Sequence, residues 1–353
     1  MNLPKKHIAF TQRHLDSHNG GEERSLYSII KHLSKENKFT ISLFYKKLGD
    51  YNQTLPKSIS QFNILEEELL ITNFLAFFWS ILKATWVIKK HKINHIHVNH
   101  YKDVTWATCL KIFTGVELTL HLRLNAPEYL SRQYSWGLNH VDKFVANSEF
   151  VKKDWVKTIE DNKITVIYNG IDINQEEIES VNDQVDLLFI GRLVYEKGLH
   201  LAIDALAKLP TNRTLTIIGD FRHSSERGEN EYELEIYNLI TKLKLENRII
   251  FKGHQKYPIS FIKNATAVLV PSYHDSFGRT YMESWSLGVP AIASNCGGLI
   301  ELCELKPELK NYVFKEGDFS DLANVIHLIS QKNGKITLFS MKELIEKLSE
   351  FLD

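Results

Sequence analysis

Two doubly wound α/β domains in tandem are predicted from three observations. These are the chain length, the alternation of short apolar runs with helical stretches, and one polar interruption near the middle. At 353 residues the chain has room for two domains of the usual size, roughly 100–200 residues each. The apolar runs fall at 7–10, 39–45, 95–98, 117–120, 143–146 and 163–168 in the first half. In the second half they fall at 185–190, 214–218, 248–251, 267–270 and 291–294. Helical patterns lie between them, such as 23–33 and 199–209, the latter stopped by Pro210. Strand and helix in alternation build βαβ units and a parallel sheet. After Tyr168-Asn169-Gly170-Ile171-Asp172, residues 174–184 turn polar and acidic without a period, as a linker does. The expected division is 1–170, 171–335, and a C-terminal helix over 336–353 that could pack back toward the first domain.

Composition narrows the function classes. Hydrophobic residues make up 43% and charged residues 24%, which excludes a disordered, collagen-like or disulfide-stapled chain. Lys plus Arg and Asp plus Glu are both 43, and nucleic-acid binding by bulk charge usually needs a basic excess. The balance conceals two unlike halves: 23 Lys/Arg against 16 Asp/Glu before residue 166, then 20 against 27. Cys109, Cys296 and Cys303 form no CxxC pair and read as free thiols in a reducing compartment. The opening MNLPKKHIAFTQRHLD has no apolar h-region, so a cytoplasmic protein is expected.

The 20 residues 69–88 have the length of a membrane span, but Asn73 and Lys83 interrupt them and a strand follows closely. A helix packed on a sheet is the favoured reading. A helix lying flat on a membrane is the other, since Phe74, Phe77, Phe78 and Trp79 suit an interface.

Four loops carry chemistry. The first follows the run 185–190: Gly191-Arg192-Leu193-Val194-Tyr195-Glu196-Lys197-Gly198. Ligands of open α/β sheets bind beyond the carboxyl ends of strands. There a guanidinium and an ammonium five residues apart can grip a diphosphate, one as a fork and one as a point charge. The second is Asp275-Ser276-Phe277-Gly278 ahead of a helix that contains Glu283. The free N–H groups at that helix start favour an anion, and two carboxylates beside it can accept from sugar hydroxyls. The third and fourth are Gly297-Gly298 and Gly20-Gly21, paired glycines before a helix, where backbone amides can approach a phosphate. Each loop alone also reads as a plain solvated turn.

Taken in order, these motifs resemble family 4 glycosyltransferases of the GT-B fold. Gly-Arg-Leu-x-x-Glu-Lys-Gly at 191–198, Asp275…Glu283 and Gly297-Gly298 carry the likeness. Gly20-Gly21-x-Glu-Arg, Asn147-Ser148, Asn169-Gly170-Ile171-Asp172, Ile218-Gly219-Asp220 and Gly317-Asp318 support it. The resemblance implies two Rossmann-like domains facing a central cleft, with the donor on the second and the acceptor on the first. It implies retaining transfer of a hexose from a UDP- or GDP-linked donor to a glycan or polyprenyl-linked acceptor, in bacterial surface polysaccharide synthesis. Arg192 and Lys197 would bind the diphosphate, Glu283 the ribose, and Asp275 the hexose, helped by the amides of Ser276, Phe277 and Gly278. Gly20 and Gly21 would close over the phosphates, and His254 would lie by the nucleobase. His121 would sit beside the transferred sugar. Arg123 and Asn125, in a stretch more basic than the family pattern, would mark the acceptor site.

One departure is Asp275, where the family usually has Glu. The shorter side chain moves the carboxylate by about an ångström, enough to alter donor preference. His91, His95, His97 and His100 suggest a metal site, but no Cys or well-spaced carboxylate completes it, so core and strand-end roles are expected. Without a DxD pair, transfer independent of metal and of any cofactor is expected, the cations and helix end supplying positive charge instead. Two further readings stand beside transfer: a nucleotide-sugar epimerase of the same architecture, and a silent nucleotide-sugar-binding partner subunit. A dehydrogenase is disfavoured, since no G-x-G-x-x-G follows a strand.

Overall fold

The structure, a computed structural model, describes residues 5–16, 20–36, 38–66, 73–173, 178, 184–221, 231–255, 258–329 and 339–353. Most of the expected linker 174–184 and the first residues of the apolar segment, 69–72, lie outside the described residues.

The chain forms two compact units, one of Met1–Gly170 with Met341–Asp353 and one of Ile171–Ser340. In the first, seven strands make one parallel sheet in the order β3-β2-β1-β4-β5-β6-β7. They are β1 (Lys6–Leu15), β2 (Phe39–Leu48), β3 (Ser60–Asn63), β4 (His95–Val98), β5 (Glu117–Leu122), β6 (Lys143–Ala146) and β7 (Ile164–Val166). Ile8, Ala9 and Phe10 of β1 are all fully buried, because helices cover both faces of the sheet and successive side chains alternate between two cores. The helix Met341–Leu352 belongs to this unit. Its Leu344, Ile345 and Leu348 pack into the same core as Leu26 and Ile29 of the helix Gly21–Leu33.

The second unit holds six parallel strands in the order β10-β9-β8-β11-β12-β13. These are β8 (Val185–Ile190), β9 (Leu215–Ile218), β10 (Ile249–Phe251), β11 (Ala265–Val270), β12 (Ala291–Ser294) and β13 (Val313–Phe314). Each sheet starts at an inner strand, runs outward to one edge, and then jumps back to build the other side. The jump leaves a topological switch point between β1 and β4 in the first sheet and between β8 and β11 in the second, where open α/β sheets bind ligands.

The apolar segment folds as the helix Phe74–His91, packed on the first sheet through Phe77, Ile81, Ala84, Val87 and Ile88. Phe77 is therefore a core residue and not part of an interfacial face, a correction to the flat-lying alternative. Phe74, Phe78 and Trp79 do face outward.

Candidate functional site

In the second unit, close backbone packing draws three loops together at the carboxyl ends of β8, β11 and β12. After β8 the chain makes a short 3-10 turn, Tyr195–Lys197, and Gly198 follows at φ 69° before the helix Leu199–Lys208. A Cβ on Gly198 would come within 1.9 Å of the Pro271 carbonyl oxygen, so only glycine lets this turn lie against the end of β11. The Tyr195 ring stacks on Tyr273, with centroids 5.4 Å apart, and the Tyr273 amide donates to the Glu196 carbonyl at 2.9 Å.

These contacts put Lys197 beside Asp275. The Lys197 Nζ donates to Asp275 Oδ2 at 2.8 Å, while Asp275 Oδ1 accepts from the amides of Gly278 at 2.6 Å and Phe277 at 3.1 Å. Burial pushes the Asp275 carboxyl up, but the Lys197 ammonium and the two amides outweigh it and hold the group below its ordinary value. The carboxylate is thus ionised, and it aims the ammonium at the switch point. Two of the amides expected to meet the donor hexose are, in this structure, bonded to that carboxylate.

The paired glycines have a packing reason. A Cβ on Gly297 would approach the Asp275 carbonyl oxygen to 2.3 Å, and one on Gly298 the Ser276 carbonyl oxygen to 2.4 Å. The Gly298 amide donates to the Asp275 carbonyl at 2.8 Å. The loop after β12 therefore clamps the loop after β11 from below. Gly278, at φ 76°, caps the helix Arg279–Ser286, whose first-turn amides lack intrahelical partners. Glu283, in that helix, is buried, and its Oε1 accepts from Arg279 Nε at 2.9 Å. Arg192 is exposed at the end of β8. His254 follows β10, two strands from β8, where its amide donates to Asp220 Oδ1 at 3.1 Å.

The first unit has its own polar centre at the β1/β4 switch point. Asn99, just after β4, donates through Nδ2 to Gln12 Oε1 at 2.6 Å and to Glu22 Oε1 at 3.1 Å. Its Oδ1 accepts from Arg123 Nε at 2.6 Å, and Arg123 Nη1 reaches Asn169 Oδ1 at 3.2 Å. Burial raises the Glu22 carboxyl to about 7, despite the nearby Arg123 cation. Gly20, at φ 131°, turns the chain into the helix that Gly21 begins and Glu22 continues. Arg123 is buried in this network, whereas Asn125 Oδ1 is buried with no hydrogen-bond partner among the described residues. Sequence reasoning singled out Arg123, Asn125 and Asn169 here and missed Gln12, Glu22 and Asn99. These three come from separate segments, and no local spacing signals their meeting.

His121 lies inside β5 rather than after it, fully buried, with Nδ1 3.2 Å from His97 Nε2. Burial first, and then the Arg123 charge, hold its pKa well below the ordinary histidine value, so the ring is neutral. His95 instead pairs with Glu117 at 3.1 Å. These two contacts give His95 and His97 the core and strand-end roles expected of them.

The family profile described as "Glycosyl transferases group 1" matches residues 171–346, and the one described as "Glycosyltransferase Family 4" matches 19–175. An uncharacterized glycosyltransferase of Methanocaldococcus jannaschii is 30% identical over 200 residues, 51% of this chain and 47% of that one. The capsular polysaccharide biosynthesis glycosyltransferase CapM of Staphylococcus aureus is 26% identical over 214 residues, covering 55% and 54%. The chain thus spans about half the length of these curated relatives, at 47% and 54%. Among solved structures, HepE of Anabaena in complex with UDP-glucose superposes with a TM-score of 0.78 at 22% identity, covering 98% of this chain and 99% of that one.

Proposed function

Since this chain belongs to the family 4 glycosyltransferases and has the GT-B fold, we propose that it transfers a hexose from a UDP- or GDP-linked donor to a glycan or polyprenyl-linked acceptor. The reaction retains anomeric configuration, uses no metal, and serves surface polysaccharide synthesis in the cytoplasm, at the inner face of the cell membrane. The observation that carries this reading is the Lys197–Asp275 pair held at the β8/β11 switch point by three loops that only glycines allow to touch. It supplies a positioned cation beside a helix N-terminus, a combination that suits the diphosphate of a nucleotide sugar. The UDP-glucose bound by HepE and the capsule pathway of CapM support the donor class and the setting.

On this reading Arg192 and Lys197 hold the diphosphate, and Glu283 accepts from the ribose hydroxyls. Asp275 orients Lys197 and meets the hexose, and His254 lies toward the base. Cleavage of the sugar–phosphate bond builds negative charge on the leaving diphosphate. Arg192, Lys197 and the first-turn amides of the helix Arg279–Ser286 stabilise that charge without reorganising. The acceptor oxygen then bonds to the anomeric carbon from the face the phosphate leaves, passing its proton to that phosphate, so configuration is retained. For the first unit, the family resemblance assigns His121 to the side of the transferred sugar and Arg123 and Asn125 to the acceptor.

A panel of UDP- and GDP-sugars, offered with polyprenyl phosphate and glycan acceptors and followed by nucleoside diphosphate release, tests the reading. Acceptor-dependent release that persists in excess chelator is the expected result. Release restored only by magnesium or manganese overturns the metal-independent part, and no release with any donor overturns the whole.

A further inference from the structure

The helix Phe74–His91 presents to solvent a face that a soluble surface helix would fill with polar residues. Phe74 (63% exposed), Leu75 (69%), Phe78 (44%), Trp79 (66%), Leu82 (43%) and Trp86 (60%) all lie on it. At 100° per residue these six positions form one continuous outward stripe, opposite the buried stripe of Phe77, Ile81, Ala84 and Ile88. The neighbouring helix Val104–Thr114 packs beside it, with the Trp106 indole N–H donating to Ser80 Oγ at 2.9 Å. Both helices lead into strands of one parallel sheet, so they run in the same direction. The exposed Ile112 and Phe113 therefore lie toward the end that carries Trp86. An apolar patch of this extent on a folded surface marks an interaction site.

Charge decides the partner. From Asn73 to Lys102 the chain contains five lysines and no Asp or Glu, and the helix Val104–Thr114 adds Lys111 and no acid. Glu66, Glu67 and Glu68 precede the helix in sequence, whereas Lys89, Lys90 and Lys92 gather at its C-terminal end. Lys83, Lys89 and Lys90 are exposed. Lys89 lies within the aromatic stripe, Lys83 borders it with its ammonium donating to the Asn63 carbonyl, and Lys90 Nζ reaches back to within 4.4 Å of the Trp86 ring centroid. In a symmetric dimer through this face, each lysine would be buried against a patch that carries the same lysines and no carboxylate. An anionic bilayer avoids that cost. The rings enter the headgroup region, while the lysines extend along the apolar surface to lipid phosphates. No helix among the described residues is long and apolar enough to cross a membrane.

We propose that the outward face of the helix Phe74–His91, extended by Ile112 and Phe113, docks the protein flat on an anionic lipid surface. This deepens the localisation part of the functional reading and does not depend on the donor site.

The test is co-sedimentation of the full chain with vesicles of phosphatidylcholine alone or mixed with phosphatidylglycerol. The expected result is binding to the mixed vesicles that weakens with salt. A Trp79→Glu, Trp86→Glu double variant should lose at least about tenfold in partitioning. Reversal of Lys83, Lys89 and Lys90 to Glu should lose about fivefold per lysine on mixed vesicles only. All substituted side chains are exposed, and unchanged circular dichroism and Tm of the variants report an intact fold. If wild type stays in the supernatant with both vesicle types, or the tryptophan variant binds as wild type does, the proposal fails. It fails equally if the chain self-associates through this face, disrupted by Trp79→Glu, without binding vesicles.

Discussion

Replacing Lys197 with Ala should separate catalysis from stability. The Lys197–Asp275 contact is 2.8 Å long, with side chains 27% and 15% exposed, between a surface pair and a buried one. Exposed pairs contribute about 0–1 kcal/mol and breaking a buried pair costs about 3–5 kcal/mol. Asp275 would keep its two amide hydrogen bonds in the variant, so the carboxylate is not stranded. The expected cost is therefore about 1–2 kcal/mol, or roughly 2–8 °C in Tm for a unit of this size. Loss of one preorganised cation facing a developing diphosphate charge costs far more, about 2.7–4 kcal/mol, or 10²–10³-fold in kcat. Scanning calorimetry and nucleoside diphosphate release on the same preparation give both numbers. A fall in turnover of less than tenfold, or one that tracks the loss of folded protein, would refute the role assigned to Lys197.

Two further substitutions probe the supporting structure. Gly298→Ala places a methyl 2.4 Å from the Ser276 carbonyl oxygen and 3.2 Å from Phe277 Cα, both backbone atoms, so the Asp275 loop must shift. A destabilisation of about 1–3 kcal/mol by urea unfolding and a roughly 10²-fold loss of kcat are expected. Glu22 tests the first unit. Its folded pKa is raised from 4.5 to about 7, so the folded state binds the proton more tightly than the unfolded chain. Its contribution is fully present below pH 4.5, is lost as pH rises toward about 7, and is then flat. Glu22→Gln should remove that slope, so the variant gains on wild type between pH 5 and 8 in urea midpoints. Parallel pH profiles would show that Glu22 does not titrate in this window.

Much of the fold was legible because central strands of a parallel sheet are buried on both faces and read as apolar runs. His95–Val98, Lys143–Ala146, Val185–Ile190 and Ala291–Ser294 are found with the bounds that those runs suggested. The two strands not foreseen, β3 and β13, are both edge strands, whereas the edges β7 and β10 did show as runs. Ser60–Asn63 is polar and half exposed, and Val313–Phe314 is two residues long, so neither leaves a run to read. β1 continues to Leu15 through the polar Gln12, Arg13 and His14 because β2 pairs with it along that length, a tertiary effect invisible locally. At the site, contiguous motifs revealed Lys197, Asp275 and Glu283, since each loop carries its own signature. What the motifs did not reveal is how they fit. Gly297 and Gly298 face the backbone of the Asp275 loop, and Asp275 is bonded to Lys197. The contacts of Gln12, Glu22 and Asn99 with one another and with Arg123 escaped notice because a strand, a helix and two strand-end segments build them, with no spacing in common.

The central claim is that the β8/β11 switch point binds a nucleoside diphosphate through Lys197. Isothermal titration of the full chain with UDP and with GDP, on wild type and on Lys197→Ala, tests it directly. The account predicts saturable binding of one of the two nucleotides by wild type, weakened by at least about tenfold in the variant. Failure of wild type to bind either nucleotide, or equal affinity in the variant, would contradict it.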